Sequence, residues 1–251
     1  MNPVSRKNYI LDALKKTGEV TVIRLSEELK VTSETIRRDL SQLADEGQLV
    51  KIHGGALRKQ IFREDNFAER LKTMRPAKEA IGRAAVSLIS ANDIIFIDSC
   101  TTTLTFATQF PAVPLTVFTN SSLIAESIKQ NNPYARVYVL GGEYNLEFRA
   151  NLGAAVLEQI NSIQADTCFL GAGGITQSNG IQVKSIDEAY VSKAMLRMSK
   201  KKVILADHTK FGQEGVMSIA TPGEVDHIIT DALLDKKVYP LQDFNNKITL
   251  A

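Results

Sequence analysis

The sequence predicts an α/β chain in two parts: a small amino-terminal winged helix-turn-helix domain over 1–58 and a larger α/β domain over 79–251, joined by a linker at 59–78. Three observations predict it. Residues Val20 to Ala56 read in turn as helix, tight turn, helix and β-hairpin. From Glu79 onward helical and strand patterns alternate, which implies a mostly parallel sheet with helices on both faces. The first five strand candidates of that region each run into small and polar residues.

In the first part the phase of the second helix is decisive. With Ile36 as reference and about 100° per residue, Leu40 and Leu43 fall within roughly 40° of it, while Glu34, Arg38, Ser41 and Asp45 fall on the far side and Arg37 on the flank. Val22, Leu25 and Leu29 form the stripe on the preceding helix against which this apolar side docks. Lys30-Val31-Thr32 is the turn, with Thr32 as N-cap. The polar side is left facing outward with a positive dipole end aimed at a phosphate, as a major-groove reader requires. Thr32, Ser33, Glu34, Thr35, Arg37, Arg38 and Ser41 are the candidate contacts to double-stranded DNA, with bases read mainly by Ser33, Glu34, Arg37 and Arg38.

Gly47 ends that helix. Leu49-Val50-Lys51-Ile52 is strand-like, His53-Gly54-Gly55-Ala56 permits a tight reversal, and Leu57-Arg58-Lys59 returns, which makes a wing. Lys51, His53, Arg58 and Lys59 are placed to neutralise phosphates, an attraction that weakens steeply with salt.

Composition is consistent with this division. The 251 residues carry a net charge of +2, and residues 1–60 hold 11 Lys/Arg against 8 Asp/Glu while the remainder holds 19 against 20. So weakly basic a head implies that two or more copies cooperate on DNA, hence a homo-oligomer, dimer or tetramer. The amino terminus has no apolar signal region and no stretch nears the roughly 18 apolar residues of a membrane helix, so a cytosolic protein without a membrane partner is expected. Cys100 and Cys168 form no CxxC pattern and His53, His208 and His227 no ligand spacing, so no metal, cofactor or structural disulfide is called for.

The linker is dense in charge (Arg63, Glu64, Asp65, Glu69, Arg70, Lys72 and Arg75) and is broken by Pro76; Phe62, Phe67 and Leu71 are spaced for a short docking helix. Beyond it, helices are predicted at about Ala80–Ile89, Thr103–Phe110, Leu123–Gln130, Ala154–Ile163 and Glu188–Ser199. Strands are predicted at Asp93–Asp98, Leu115–Thr119, Arg136–Leu140, Thr167–Leu170, Lys202–Ala206, His227–Thr230 and Ile248–Leu250.

In such sheets ligands bind beyond the carboxyl ends of the strands. Those ends read Asp98-Ser99-Cys100-Thr101-Thr102-Thr103, Asn120-Ser121-Ser122, Gly141-Gly142-Glu143, Gly171-Ala172-Gly173-Gly174 and Asp207-His208-Thr209-Lys210-Phe211-Gly212. No single one is specific, and Thr101 to Thr103 alone read equally as an ordinary N-cap, as Asp207 does as a turn residue. Converging on one rim, they suit a sugar phosphate. Threonine hydroxyls and helix-start amides offer an anion pocket, Lys210 or Lys193 a fixed positive charge, and Asp98, Asn120, Glu143 and Asp207 partners for sugar hydroxyls, with Glu188 a further candidate effector contact.

The run Thr35-Ile36-Arg37-Arg38-Asp39-Leu40, with Gly47 and His53-Gly54-Gly55-Ala56, resembles the signature of the DeoR family of bacterial transcriptional regulators. The stretches Asp98–Thr103, Gly141-Gly142-Glu143 and Ala206–Gly212 resemble that family's sensor motifs. The resemblance implies a winged head and a carboxy-terminal domain of ribose-phosphate isomerase fold that senses a phosphorylated sugar or related metabolite. The joining of a DNA head to an anion-binding rim leads us to expect a repressor of a carbohydrate-metabolism operon, released when the effector binds, although an activator needs the same head. Lys51 stands where many relatives have arginine and Cys100 where they usually have glycine.

Two other functions deserve weight. An isomerase needs a positioned carboxylate base; the 171–174 loop has none, and Asp187 and Glu188 are equally an acidic first turn. Redox sensing would use Cys100, because a helix start lowers a thiol pKa; the simpler reading is a small apolar group, as for Cys168 inside a strand. The sequence thus predicts a regulator and not an enzyme.

Overall fold

Apolar phasing on α2 and α3 organises the head. The computed structural model describes residues 2–17, 19–45, 48–52, 54–58, 66–235 and 242–251; two compact units, Met1–Arg63 and Glu64–Ala251, are taken in turn. The first contains α1 (Pro3–Thr17), β1 (Glu19–Thr21), α2 (Val22–Leu29), α3 (Ser33–Asp45), β2 (Leu49–Ile52) and β3 (Gly55–Arg58). Val22, Leu25, Ile36, Leu40 and Leu43 close one core, as the stripes require, together with Ile10 and Leu14 of α1. Lys30 takes a left-handed conformation (φ 51°) at the α2–α3 turn. The hairpin register sets Ile52 opposite Gly55, with Gly54 at φ 83° in the reversal. His53 and Gly47 lie outside the described residues.

Two features of the head were not foreseen. α1 supplies a third helix, and β1 pairs antiparallel with β3, so the wing is a three-stranded sheet. Three residues of strand before a helix leave too short a pattern to separate from the helix itself.

The larger unit contains α4 (Phe67–Lys72), α5 (Arg75–Val86), β4 (Ile94–Ile97), α6 (Thr101–Ala107), β5 (Thr116–Thr119), α7 (Ser122–Asn131), β6 (Arg136–Val139), β7 (Glu143–Asn145), β8 (Ala150–Leu152), α8 (Ala154–Asn161) and β9 (Ala165–Gly171). It continues with β10 (Gly174–Thr176), β11 (Gly180–Val183), α9 (Ile186–Arg197), β12 (Ser199–Leu205), β13 (Met217–Ala220), β14 (His227–Thr230) and β15 (Ile248–Leu250). The predicted strands form one parallel sheet in the order β15-β14-β12-β9-β4-β5-β6. Its two faces alternate residue by residue. Ile95, Ile97, Phe169, Val203 and Leu205 pack with α5, α6 and α7 on one face, and Phe96, Cys168, Leu170 and Ile204 pack with α8 and α9 on the other.

The chain leaves β4 toward β5 and β6 on one side and returns to β9 and β12 on the other. A crevice therefore opens between the carboxyl ends of β4 and β9, where strand order reverses. A small antiparallel sheet, β10-β11-β13, and the β7–β8 hairpin were not predicted; both are built from strands of three or four residues. The expected linker also differs. Residues 59–65, with Phe62, lie outside those described, whereas 66–78 form α4 and the start of α5 within the larger unit.

Candidate functional sites

On the head, Thr32 starts α3 by accepting the Thr35 amide at 3.3 Å, and its hydroxyl meets that of Thr35 at 2.9 Å. Arg37 and Arg38 are 59% and 81% exposed, and each lies 3.7 Å from a different oxygen of Glu34. Ser33 is half-buried beside them. Ser41 bonds the Arg37 carbonyl at 2.8 Å and accepts from Lys51 Nζ at 2.7 Å, so the β2 lysine is held against the outer side of α3. Glu34, Arg37, Arg38, Ser41 and Lys51 line one shallow groove. Arg58 ends β3 opposite Leu49.

Behind that face lies a pair that the sequence did not disclose. Asp39 is buried and takes the Arg6 guanidinium from α1 through two hydrogen bonds, one at 3.0 Å from Nη2 and a shorter one from Nε. The carboxylate holds the Arg6 guanidinium above its ordinary pKa, chiefly through that hydrogen bond. Asp39 therefore anchors α3 to α1 instead of facing solvent.

In the larger unit the crevice is lined by Asp98, Ser99, Cys100, Thr101, Thr102, Asn120, Gly171, Gly173, Glu188, Asp207 and Lys210, all anticipated. Asp98 joins the two strand ends at its floor: Oδ2 accepts the Gly171 amide at 2.7 Å and Oδ1 the Thr103 hydroxyl at 3.0 Å. Burial raises its carboxyl to about 6, against those hydrogen bonds, which act to lower it. Asp207 accepts the Thr209 amide at 3.0 Å as the cap of a short turn. His208 in that turn bonds Asp231 through its amide and through Nδ1, both at 2.8 Å.

Asn120 is 1% exposed. Its Nδ2 donates to Asn151 O at 3.1 Å, and its Oδ1 has no partner among the described residues.

Other anticipated residues lie elsewhere. Thr103 is fully buried and forms a capping box with Cys100, whose Sγ accepts the Thr103 amide at 3.3 Å. Gly141 is clamped by Gln159 through bonds of 3.1 and 2.8 Å, and Gly142 and Glu143 lead into the β7–β8 hairpin; none of the three lines the crevice. Lys193 lines a separate groove with Arg197, Lys202 and Glu224. The Cys100 thiol is pushed up to about 12 by burial, with Asp98 adding to the effect, as Cys168 is by burial. The lowering that a helix start would give is thus reversed at Cys100, which speaks against the redox reading.

Sequence reasoning missed Arg70, Thr73, Lys78 and Lys184 on the crevice wall. Lys78 is the most informative, being 3% exposed in α5. Its Nζ donates to the carbonyls of Arg70 and Thr73, the second at 2.8 Å, and burial lowers its pKa below the usual lysine value. A signal was present. Lys78, Ile81 and Ala85 fall at i, i+3 and i+7 on one buried stripe, where a charge is out of place unless it has a task.

Among the described residues no group of three or more His, Cys, Asp or Glu is placed to hold a metal, and no helix is long and apolar enough to cross a membrane.

Comparison with known proteins agrees with the two-part geometry. Residues 6–61 match the DeoR-like helix-turn-helix domain and residues 73–232 the DeoR C terminal sensor domain. The HTH-type transcriptional repressor GlcR of Bacillus subtilis is 32% identical over 94% of this chain and 91% of its own length. The HTH-type transcriptional regulator GolR of Listeria innocua is 35% identical over 95% and 94%. The L-fucose operon activator of Escherichia coli is 30% identical over 90% and 94%. These relatives are named as regulators, not as enzymes, and the isomerase alternative falls with that. A helix-turn-helix head joined to this sensor domain, matched along nearly its whole length by such proteins, places the chain in the DeoR family of transcriptional regulators.

Proposed function

We propose that this regulator is a repressor of a carbohydrate-metabolism operon, bound to operator DNA as a homo-oligomer and released by a phosphorylated sugar in the β4–β9 crevice. One observation carries the ligand class. The crevice holds a buried ammonium, Lys78, whose hydrogen bonds among the described residues go to two backbone carbonyls, and a buried amide oxygen, Asn120 Oδ1, with no partner among the described residues. Burial disfavours the Lys78 charge, against the attraction of Asp207, and a buried acceptor without a donor is costly. A molecule with an anionic group and hydroxyls relieves both, and Lys210, Lys184 and Arg70 on the same wall add further positive charge. The name of the E. coli relative, a fucose operon activator, supports a sugar-linked role.

The outer side of α3 supports the DNA reading: Arg37 and Arg38 stand exposed beside the α3 start, with Lys51 next to them. The weakly basic head supports cooperation between copies. The test begins with selection of a preferred duplex from a random library. Retardation of that duplex is then measured with and without a panel of phosphorylated and unphosphorylated sugars. Loss of the retarded band with a phosphorylated sugar alone is the expected result; a band indifferent to all of them rejects the effector class.

A further inference from the structure

We propose that Lys78 is the coupling residue of the crevice: its ammonium clamps the carboxyl end of α4, and the phosphate of a bound sugar phosphate draws the ammonium off that clamp and frees α4. The inference rests on the reading of the crevice given above. It stands on the geometry of the α4–α5 junction.

α4 is six residues long, too short to persist on its own hydrogen bonds. Two things hold it. Phe67 is buried, with the Arg70 guanidinium 5.5 Å from its ring centre, and Lys78 Nζ binds the carbonyls of Arg70 and Thr73 at its far end. Between α4 and α5 the chain turns through Met74 in a left-handed conformation, φ 53° and ψ 31°, which a residue with a side chain disfavours. The Lys78 bonds span that strained residue from α5 back to α4. Releasing them removes the tie and lets the turn relax.

The competition has a direction. Carbonyl oxygens are neutral acceptors, whereas a phosphate oxygen is charged and takes an ammonium in preference. Burial already disfavours the charged lysine, and an anion beside it reverses that. Lys78 lines the same crevice as Asn120 and Lys210, so a ligand seated against those groups meets it. α4 is the first helix of the larger unit, so freeing it acts at the amino-terminal end of that unit.

Hydrogen exchange of the full chain tests this. In the absence of ligand, Lys78→Met is expected to speed exchange of the α4 amides, Thr73 included, at least about tenfold while β4 keeps its protection. Unchanged α4 protection with β4 intact overturns the clamp. If the variant loses β4 as well, the parent protein decides, measured with saturating glucose 6-phosphate, fructose 1-phosphate or inorganic phosphate. Faster α4 exchange on binding supports the proposal, and unchanged or slower exchange overturns it. The two levels separate cleanly: a sugar phosphate that binds and releases DNA with α4 still protected removes the clamp and leaves the crevice reading standing. Binding by none of the three probes, inorganic phosphate included, removes both.

Discussion

A methyl group built on Gly171 would lie 2.2 Å from Cys100 Sγ and 2.8 Å from Cys100 Cβ, so the thiol occupies the space that glycine leaves at the end of β9. The same glycine donates its amide to Asp98, three residues from where α6 begins. The crevice floor is therefore a matched set, in which the shape at 171 depends on the side chain at 100.

Gly171→Ala is expected to destabilise the larger unit by about 1–3 kcal/mol through overpacking. Cys100→Gly removes the obstructing thiol, so the double variant should recover most of the loss. Thermal melts of the four proteins form the cycle, and strictly additive losses would contradict the pairing.

The pH dependence of stability should carry the mark of Asp98. Its folded carboxyl, raised to about 6, holds a proton in a range where the unfolded chain, titrating near about 3.9, has lost it. The folded state then binds more protons than the unfolded one, so unfolding free energy falls as pH rises from about 4 to about 6 and stays lower above that. Asp98→Asn keeps an acceptor for the Gly171 amide and should flatten a slope worth on the order of 1–3 kcal/mol. Urea melts on both sides of the window measure it, and an unaltered slope would assign the titration to another group.

In the head, Arg6→Met leaves the Asp39 carboxylate buried without its partner and should cost about 3 kcal/mol. For a unit of this size that is much of the available stability. Exchange protection of α1 and α3 should collapse while β4 and β9 keep theirs; a head as protected as the parent's would show the pair to be dispensable.

Arg37→Ala and Arg38→Ala should each weaken binding to the selected duplex by about 1–3 kcal/mol where the arginine reads a base, with melting unchanged. Equal affinity in both variants would move the DNA surface elsewhere.

Peroxide should leave duplex binding untouched, because both thiols are held near 12 and carry almost no thiolate at neutral pH. Iodoacetamide should label Cys100 and Cys168 only on unfolding, and rapid labelling of the folded chain would restore the redox reading.

Most of the architecture was legible because its signals are periodic. Ile36, Leu40 and Leu43 report their face by helical spacing, and Ile94 to Ile97 report a strand covered on both sides by having no polar residue. Short elements carry too few residues to show a period, which is why β1, β7 and β10 escaped. The crevice was legible wherever the sheet topology dictates it, at Asp98, Asn120, Gly171 and Asp207. It was not legible at Gly141 to Glu143, because that loop follows β6 at the edge of the sheet, two strands beyond β4, where strand order reverses. Lys78 and Arg70 come from helices that precede the sheet in sequence, and only the packing of α4 and α5 brings them to its strand ends. Asp39 is a related case: its partner Arg6 lies 33 residues away on a helix that the pattern reading passed over.

The central claim is that a phosphorylated sugar in the β4–β9 crevice governs the hold of the head on DNA. Fluorescence anisotropy of the selected duplex, titrated with protein in the presence of each sugar and its phosphate, tests it directly. At least one phosphorylated sugar should weaken binding where its unphosphorylated form does not, and Asn120→Ala should abolish that difference while leaving ligand-free affinity intact. Affinity that is the same with every phosphate, or an effect that survives Asn120→Ala at full strength, would contradict it.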